Sequence, residues 1–137
     1  MFKQTLEIAT AGQRCYDITA RVQELVDESG IADGVVALFV KHTTASLAIQ
    51  ENYDPAVQHD LLDFFRRLVP ENQSLYRHRD EGPDDMPSHI RTLLSHTSEL
   101  IPLDAGRLAL GRWQAIYLLE HRHQPHRRQV DVRVIGA

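Results

Sequence analysis

Through Lys3–Thr10 hydrophobic and polar positions alternate with a period of two, Leu6 and Ile8 falling on one side, which predicts a half-buried strand. Ala11-Gly12 breaks the pattern, and a second short strand is expected around Cys15 to Ile18. The period then changes. Thr19 can cap a helix whose apolar positions Val22, Leu25 and Val26 share one stripe and which ends near Gly30. Gly34–Val40 is a continuous apolar run, the signature of a strand covered on both faces, and it delivers His42 to the strand end. After the small, hydroxyl-rich Thr43-Thr44-Ala45-Ser46, Leu47-Ala48-Ile49 resumes an apolar strand that closes in Gln50-Glu51-Asn52.

Asp54-Pro55 is a helix start: the Asp side chain accepts from free N–H groups, and Pro at the first helical position loses no hydrogen bond. This helix is expected to run to about Val69 and to bury Val57, Leu61, Phe64, Phe65 and Leu68, with Asp60 at the edge of the stripe. Pro70 ends it. Asp84-Asp85 ahead of Met86-Pro87 is a second start, predicting a helix that packs Ile90, Leu93 and Leu94 inward and holds His89 in its first turn. Further strands are expected over Glu99–Leu103, over Arg107–Gly111 after an Asp104-Ala105-Gly106 turn, and over Trp113–Glu120, apolar on both faces. A basic loop, His121–Arg128, leads to Val130, Val132 and Val134, whose alternation with Asp131 and Arg133 marks a final strand buried on one face. Many strands with two to three helices inserted mid-chain predict an α+β class, a largely antiparallel β-sandwich-like domain.

Composition narrows this further. No repeat or linker divides the 137 residues, so one domain is expected over 1–137, long enough to bury about two-thirds of its unfolded surface. The net charge of −4, with interspersed signs, argues against a nucleic-acid partner. The one cysteine, Cys15, cannot form an internal disulfide and points to a reducing compartment, where it reads as an inert packed thiol. The longest apolar run, Val35–Val40, is too short to span a bilayer, and a cytoplasmic protein is expected.

The candidate chemistry lies in Tyr76–His89, which sets His78 and His89 beside Asp80, Glu81, Asp84 and Asp85 around a Gly82-Pro83 turn. Imidazoles with carboxylates can hold a divalent cation, the carboxylates completing the shell or orienting the rings. The spacing matches no standard zinc-finger pattern, so a merely polar loop is the alternative. Asp60 reads equally as a site acid and as a solvated one. Glu120 reads as a pocket acid or a solvated strand end, and the basic loop as a metal or phosphate site or an exposed tip.

The ordered set His42-Thr43-Thr44-Ala45-Ser46, Glu51-Asn52, Asp54-Pro55, His78, Glu81-Gly82, Ser88-His89-Ile90, Ile101-Pro102, Gly106-Arg107-Leu108 and Gly111-Arg112-Trp113-Gln114 resembles the YjbQ family, also called secondary thiamine-phosphate synthase. The resemblance spans nearly the whole chain. It implies a homotrimer with a polar metal-containing pocket near the subunit contact, metal ligands His42, His78 and His89, and site carboxylates Glu51, Asp60 and Asp85. This chain departs from the family in the Pro83–Ser88 segment before His89, and in Arg112 where a threonine is usual. Three histidines suit zinc, with magnesium or another divalent ion as alternatives.

The implied activity joins a pyrimidine pyrophosphate to a thiazole phosphate, giving thiamine phosphate and pyrophosphate. Lys41, Arg77 and Arg107 are candidate partners for a phosphorylated small-molecule substrate. Metal-assisted hydrolysis, with Glu51 or Asp60 accepting a proton from water, uses the same parts. A non-catalytic metal- or ligand-binding trimer is the third reading.

Overall fold

Each alternating run becomes a strand that lays its apolar side on a shared core. The structure, a computed structural model covering residues 1–137, contains β1 (Phe2–Thr10), β2 (Arg14–Asp17), α1 (Thr19–Ser29), β3 (Gly34–Val40), β4 (Ala45–Glu51), α2 (Pro55–Leu68), α3 (Asp85–Leu94), β5 (Ser98–Asp104), β6 (Arg107–Leu108), β7 (Gln114–Glu120) and β8 (His126–Gly136). A five-stranded sheet has the order β1-β8-β3-β5-β6 and a three-stranded sheet the order β2-β7-β4. All pairings are antiparallel, so the fold is α+β as expected. Val130, Val132, Val134, Val36, Leu38 and Val40 of the larger sheet share one core with Leu47, Ile116 and Leu118 of the smaller. Val22, Leu25 and Val26 of α1 join them. Each such burial stabilises by about 1.5–3 kcal/mol.

The register of β3 and β8 places Gly34 opposite Gly136, at φ of 156° and 151°. A methyl group on either would overlap backbone: the Ile135 carbonyl for Gly34, the Asp33 carbonyl for Gly136. Only glycine allows the two strands to approach so closely.

Several local expectations give way to tertiary packing. β3 is buried on one face only; Phe39 is 52 % exposed and shares a bare outer face with Leu100 and Ile135. The continuous apolar run misled because no layer of this chain lies over that side. Thr19 does not cap α1. Asp17 Oδ1 accepts its N–H at 2.9 Å, and the Thr19 hydroxyl instead accepts from Ile116 N–H at 2.8 Å, tying the helix to β7.

α2 starts as predicted, Asp54 Oδ1 accepting from Ala56 N–H at 2.9 Å, yet none of its residues is fully buried and Leu61, Phe64 and Leu68 are exposed. The expected stripe is only partly covered because the helix meets the outer face of the three-stranded sheet across a cavity. In α3 the prediction is reversed: Leu93 is 83 % exposed, while Asp85, Pro87, Ser88, Arg91 and Thr92 are buried. That buried side is held by hydrogen bonds, Ser88 Oγ lying 2.6 Å from the Asp84 carbonyl and 2.9 Å from that of His121, and Arg91 Nη2 donating to the Val69 carbonyl at 2.9 Å. β6 is shorter than expected. No helix is long and apolar enough to cross a membrane.

Candidate metal centre

α3 begins at Asp85, and its free N–H groups and dipole favour a carboxylate there. His89, four residues on and so in the second turn rather than the first, projects from the same helical face. His78 arrives from the preceding loop. His78 Nε2 lies 2.8 Å and His89 Nε2 3.1 Å from the same Asp85 oxygen, Oδ2, and Glu81 Oε2 lies 3.4 Å from His78 Nε2. One donor atom from each of these four residues falls within 4.8 Å of the others.

The surroundings orient these donors. His89 Nδ1 is 3.1 Å from the Thr43 carbonyl, which can only accept, so Nδ1 carries a proton, and Nε2 is the nitrogen that faces Asp85. The other Asp85 oxygen accepts from Arg122 Nη1 at 2.8 Å. Arg122 also donates to Asp84 Oδ2 through Nε at 3.1 Å and to the Glu81 carbonyl at 2.8 Å, so one guanidinium braces the whole turn. His123 N–H donates to Asp84 Oδ2 at 2.8 Å.

Burial raises the Asp85 carboxyl, but the hydrogen bonds from His78 and the charges around it prevail and hold it below the usual range. Asp84 is lowered in the same way, burial being outweighed by the His123 N–H and Arg122. The Asp85 hydrogen bond raises His78. Three carboxylates, Glu81, Asp84 and Asp85, stand against the one guanidinium of Arg122 in this turn.

Chemically the set fits a metal. Two imidazoles and a carboxylate, one ring held through its other nitrogen by the Thr43 carbonyl, are the donors that catalytic zinc and ferrous sites use. His78 and Glu81 are at least half exposed, which leaves a side open to a small molecule.

The structure brings together three of the six residues expected at the site: His78, His89 and Asp85. His42 stands beside them but not among them. It lines the same open cleft as His89 and Thr43, while its Nε2 accepts from Gln129 N–H at 2.8 Å; burial, then Arg128, lowers its pKa. The picture of three converging imidazoles is thus corrected to two, because β8 engages the third. Glu51 lies at the far end of β4, six residues and so roughly 20 Å along the strand from Ala45. Asp60 is exposed on α2 and is not in the cluster. Lys41 Nζ sits 3.9 Å from Asp131, and Arg107 lines a separate cleft against α1; Arg77 is exposed and neighbours the site only through its place before His78 in the sequence.

Two participants were under-read. Arg122 belongs to a basic loop that reads equally as an exposed tip, and nothing local marks its buried partners. Glu120 is fully buried rather than solvated, paired with Arg128 through Nε at 2.7 Å and accepting from Thr10 Oγ1 at 2.6 Å. Burial raises it, but these hydrogen bonds outweigh burial and lower it.

Comparison with known proteins places these features in context. The family model described as UPF0047 protein YjbQ-like matches residues 4–137. A UPF0047 protein of Synechocystis sp. is 51% identical over 134 residues, covering 98% of this chain and 91% of that protein. The UPF0047 protein YjbQ of Escherichia coli O157:H7 is 40% identical over 136 residues, covering 98% of each. A crystal structure of a conserved hypothetical protein from Thermus thermophilus superposes with a TM-score of 0.87 at 36% identity, covering 96% of this chain and 99% of that one.

Proposed function

For a chain that belongs to the YjbQ-like UPF0047 family, we propose a divalent-metal-dependent enzyme acting on a small phosphorylated molecule, with zinc as the resident ion. The observation that carries this is the convergence of His78, Asp85, His89 and Glu81 within 4.8 Å, braced by Arg122 and the Thr43 carbonyl. His78 Nε2, His89 Nε2 and Asp85 Oδ2 would hold the ion. When bound, it would supply Lewis-acid charge to a phosphoryl oxygen and so ease the departure of pyrophosphate. The protein's own part is positional. Arg122 keeps Asp85 ionised and pointing at the rings, Thr43 sets the His89 tautomer, and Arg77 adds positive charge where a phosphate would enter. Glu81, 63 % exposed in its side chain, takes the general-base role first expected of Glu51 or Asp60.

The reaction class follows the family resemblance: transfer of a pyrimidine group from pyrophosphate to a thiazole phosphate. A second reading, metal-assisted hydrolysis, is favoured by the freedom of Glu81 to face water. One assay separates them. Zinc-loaded protein incubated with both precursors and followed by phosphorus NMR gives thiamine phosphate plus pyrophosphate under the first reading, and the free pyrimidine alcohol plus pyrophosphate under the second. Turnover by Asp85→Asn or by metal-stripped protein at the unmodified rate would defeat metal dependence altogether. The exposed Phe39, Phe64, Leu68, Leu93 and Leu100 support assembly into a homotrimer, which light scattering tests. The single unpaired cysteine supports a cytoplasmic location.

A further inference from the structure

A cavity of about 360 Å³ lies between α2 and the outer face of the three-stranded sheet, apart from the metal centre. Leu61, Leu62 and Phe65 of the helix and Ala48, Tyr117 and Leu119 of the sheet line it. Its size falls within the range of about 300–1,000 Å³ for small-molecule sites. Gln58 Nε2 donates to Tyr117 Oη at 2.7 Å and ties the helix to the sheet.

His121 sets this wall apart. It is 2 % exposed, lies edge-on to the Phe65 ring at 5.9 Å between centroids, and places Nε2 2.9 Å from Ser46 Oγ. Ser46 Oγ in turn receives a hydrogen bond from Ser95 Oγ at 2.6 Å. The second ring nitrogen, Nδ1, has no partner in the chain, although His121 lines the cavity. The side-chain atoms sealed off without a partner are Arg91 Nε and Thr92 Oγ1, not this one, so Nδ1 keeps accessible surface and is free to bond a ligand. Ser46 itself is fully buried and does not line the cavity, so the pair offers recognition rather than a nucleophile.

The remaining lining carries no free positive charge, its other histidine, His96, being tied to Glu99. Burial pushes His121 down to about 3 and the Cys15 thiol up to about 11, so both are neutral near pH 7. Neither Lys nor Arg lines the cavity, and its one carboxylate, Glu99, is hydrogen-bonded to His96 Nδ1 at 2.8 Å.

We propose that this cavity binds a small, flat, uncharged aromatic molecule that packs on Phe65 and Tyr117 and hydrogen-bonds His121 Nδ1. Anions are disfavoured because the wall carries the Glu99 carboxylate and no Lys or Arg. The inference does not rest on the metal reading.

Benzimidazole at pH 8 is a suitable probe: flat, uncharged, and carrying both a ring N–H and a bare ring nitrogen, so it complements either His121 tautomer. Titrated into the full-length, ¹⁵N-labelled chain, it should bind saturably and show intermolecular NOEs to Phe65, Tyr117 and Leu119. Indene, of the same shape without nitrogen, should bind about fivefold more weakly, the worth of one hydrogen bond. Benzoate should bind at least about tenfold more weakly. Ala48→Phe should fill the cavity and abolish binding while zinc content and melting temperature persist. Unsaturable shifts, NOEs to other residues, or unchanged binding to a folded Ala48→Phe would overturn the site. Equal binding of indene would overturn the hydrogen bond, and equal binding of benzoate the preference for uncharged ligands. If Ala48→Phe does not fold, the NOEs to the unmodified chain decide alone.

Discussion

Acidification should weaken this fold through His121 in particular. Its imidazole is buried and neutral, with a folded pKa pushed down to about 3 from an ordinary value of 6.5. Between these values the unfolded chain binds a proton that the folded chain refuses, so stability is fully present above pH 6.5 and falls as pH drops toward 3. At pH 4.5 the solution is two units below the unfolded imidazole's pKa, a loss of about 3 kcal/mol at about 1.36 kcal/mol per unit. His121→Phe keeps a ring of similar shape against Phe65 and removes the titration. At pH 7.5 it should cost about 1–2 kcal/mol for the lost Ser46 hydrogen bond, Ser46 still receiving the bond from Ser95. Urea unfolding of both proteins at pH 7.5 and 4.5, at one ionic strength and protein concentration, tests this. The lowered carboxylates Asp84, Asp85 and Glu120 also lose stability in acid; both proteins carry them, so that loss largely cancels, least completely for Glu120, whose charge acts on His121. The variant should lose about 3 kcal/mol less than the unmodified chain, narrowing or inverting their order. Equal losses, within about 0.5 kcal/mol, would refute the assignment of this acid sensitivity to His121.

Other substitutions probe the remaining structure. Arg122→Met leaves the buried Asp84 and Asp85 carboxylates unpaired and should destabilise by about 3–5 kcal/mol in chemical denaturation, with zinc affinity falling about 10–100-fold by calorimetry. Glu120→Gln strands the Arg128 guanidinium, 4 % exposed in its side chain, and should lower the melting temperature by about 10 °C. Gly136→Ala drives a methyl group into the Asp33 carbonyl and should prevent soluble expression, whereas Gly30→Ala, with nothing within 4 Å, should only weaken the α1 cap by about 1 kcal/mol. Zinc binding should persist in Glu51→Gln and Asp60→Asn but be lost in His78→Ala/His89→Ala, measured by metal content after dialysis.

The sheets were legible because alternation is a local signal: Leu6 and Ile8, or Val130, Val132 and Val134, face one way whatever they meet. The helix start at Asp54-Pro55 was legible for the same reason, since capping is settled within a few residues, whereas Asp84 precedes α3 without capping it and its side chain accepts from Arg122 and His123 instead. The pairing of His89 with Asp85 is also local, four residues apart on one helix, and His78 is brought to them by a short loop. What lies on the other side of an element is not local. Leu93, Phe64 and Phe39 repeat at the proper spacing yet remain exposed, because this chain supplies nothing to cover them.

By itself, then, the sequence determined which residues share a face, where helices begin, and that His78, Asp85 and His89 could meet. Only the tertiary structure decided that Arg122, far along the chain, neutralises Asp84 and Asp85, that His42 turns to Gln129, and that His121 faces a cavity. Spacing along a chain encodes direction through the fixed periods of helix and strand, whereas contact between distant segments depends on how the sheets and helices close on one another.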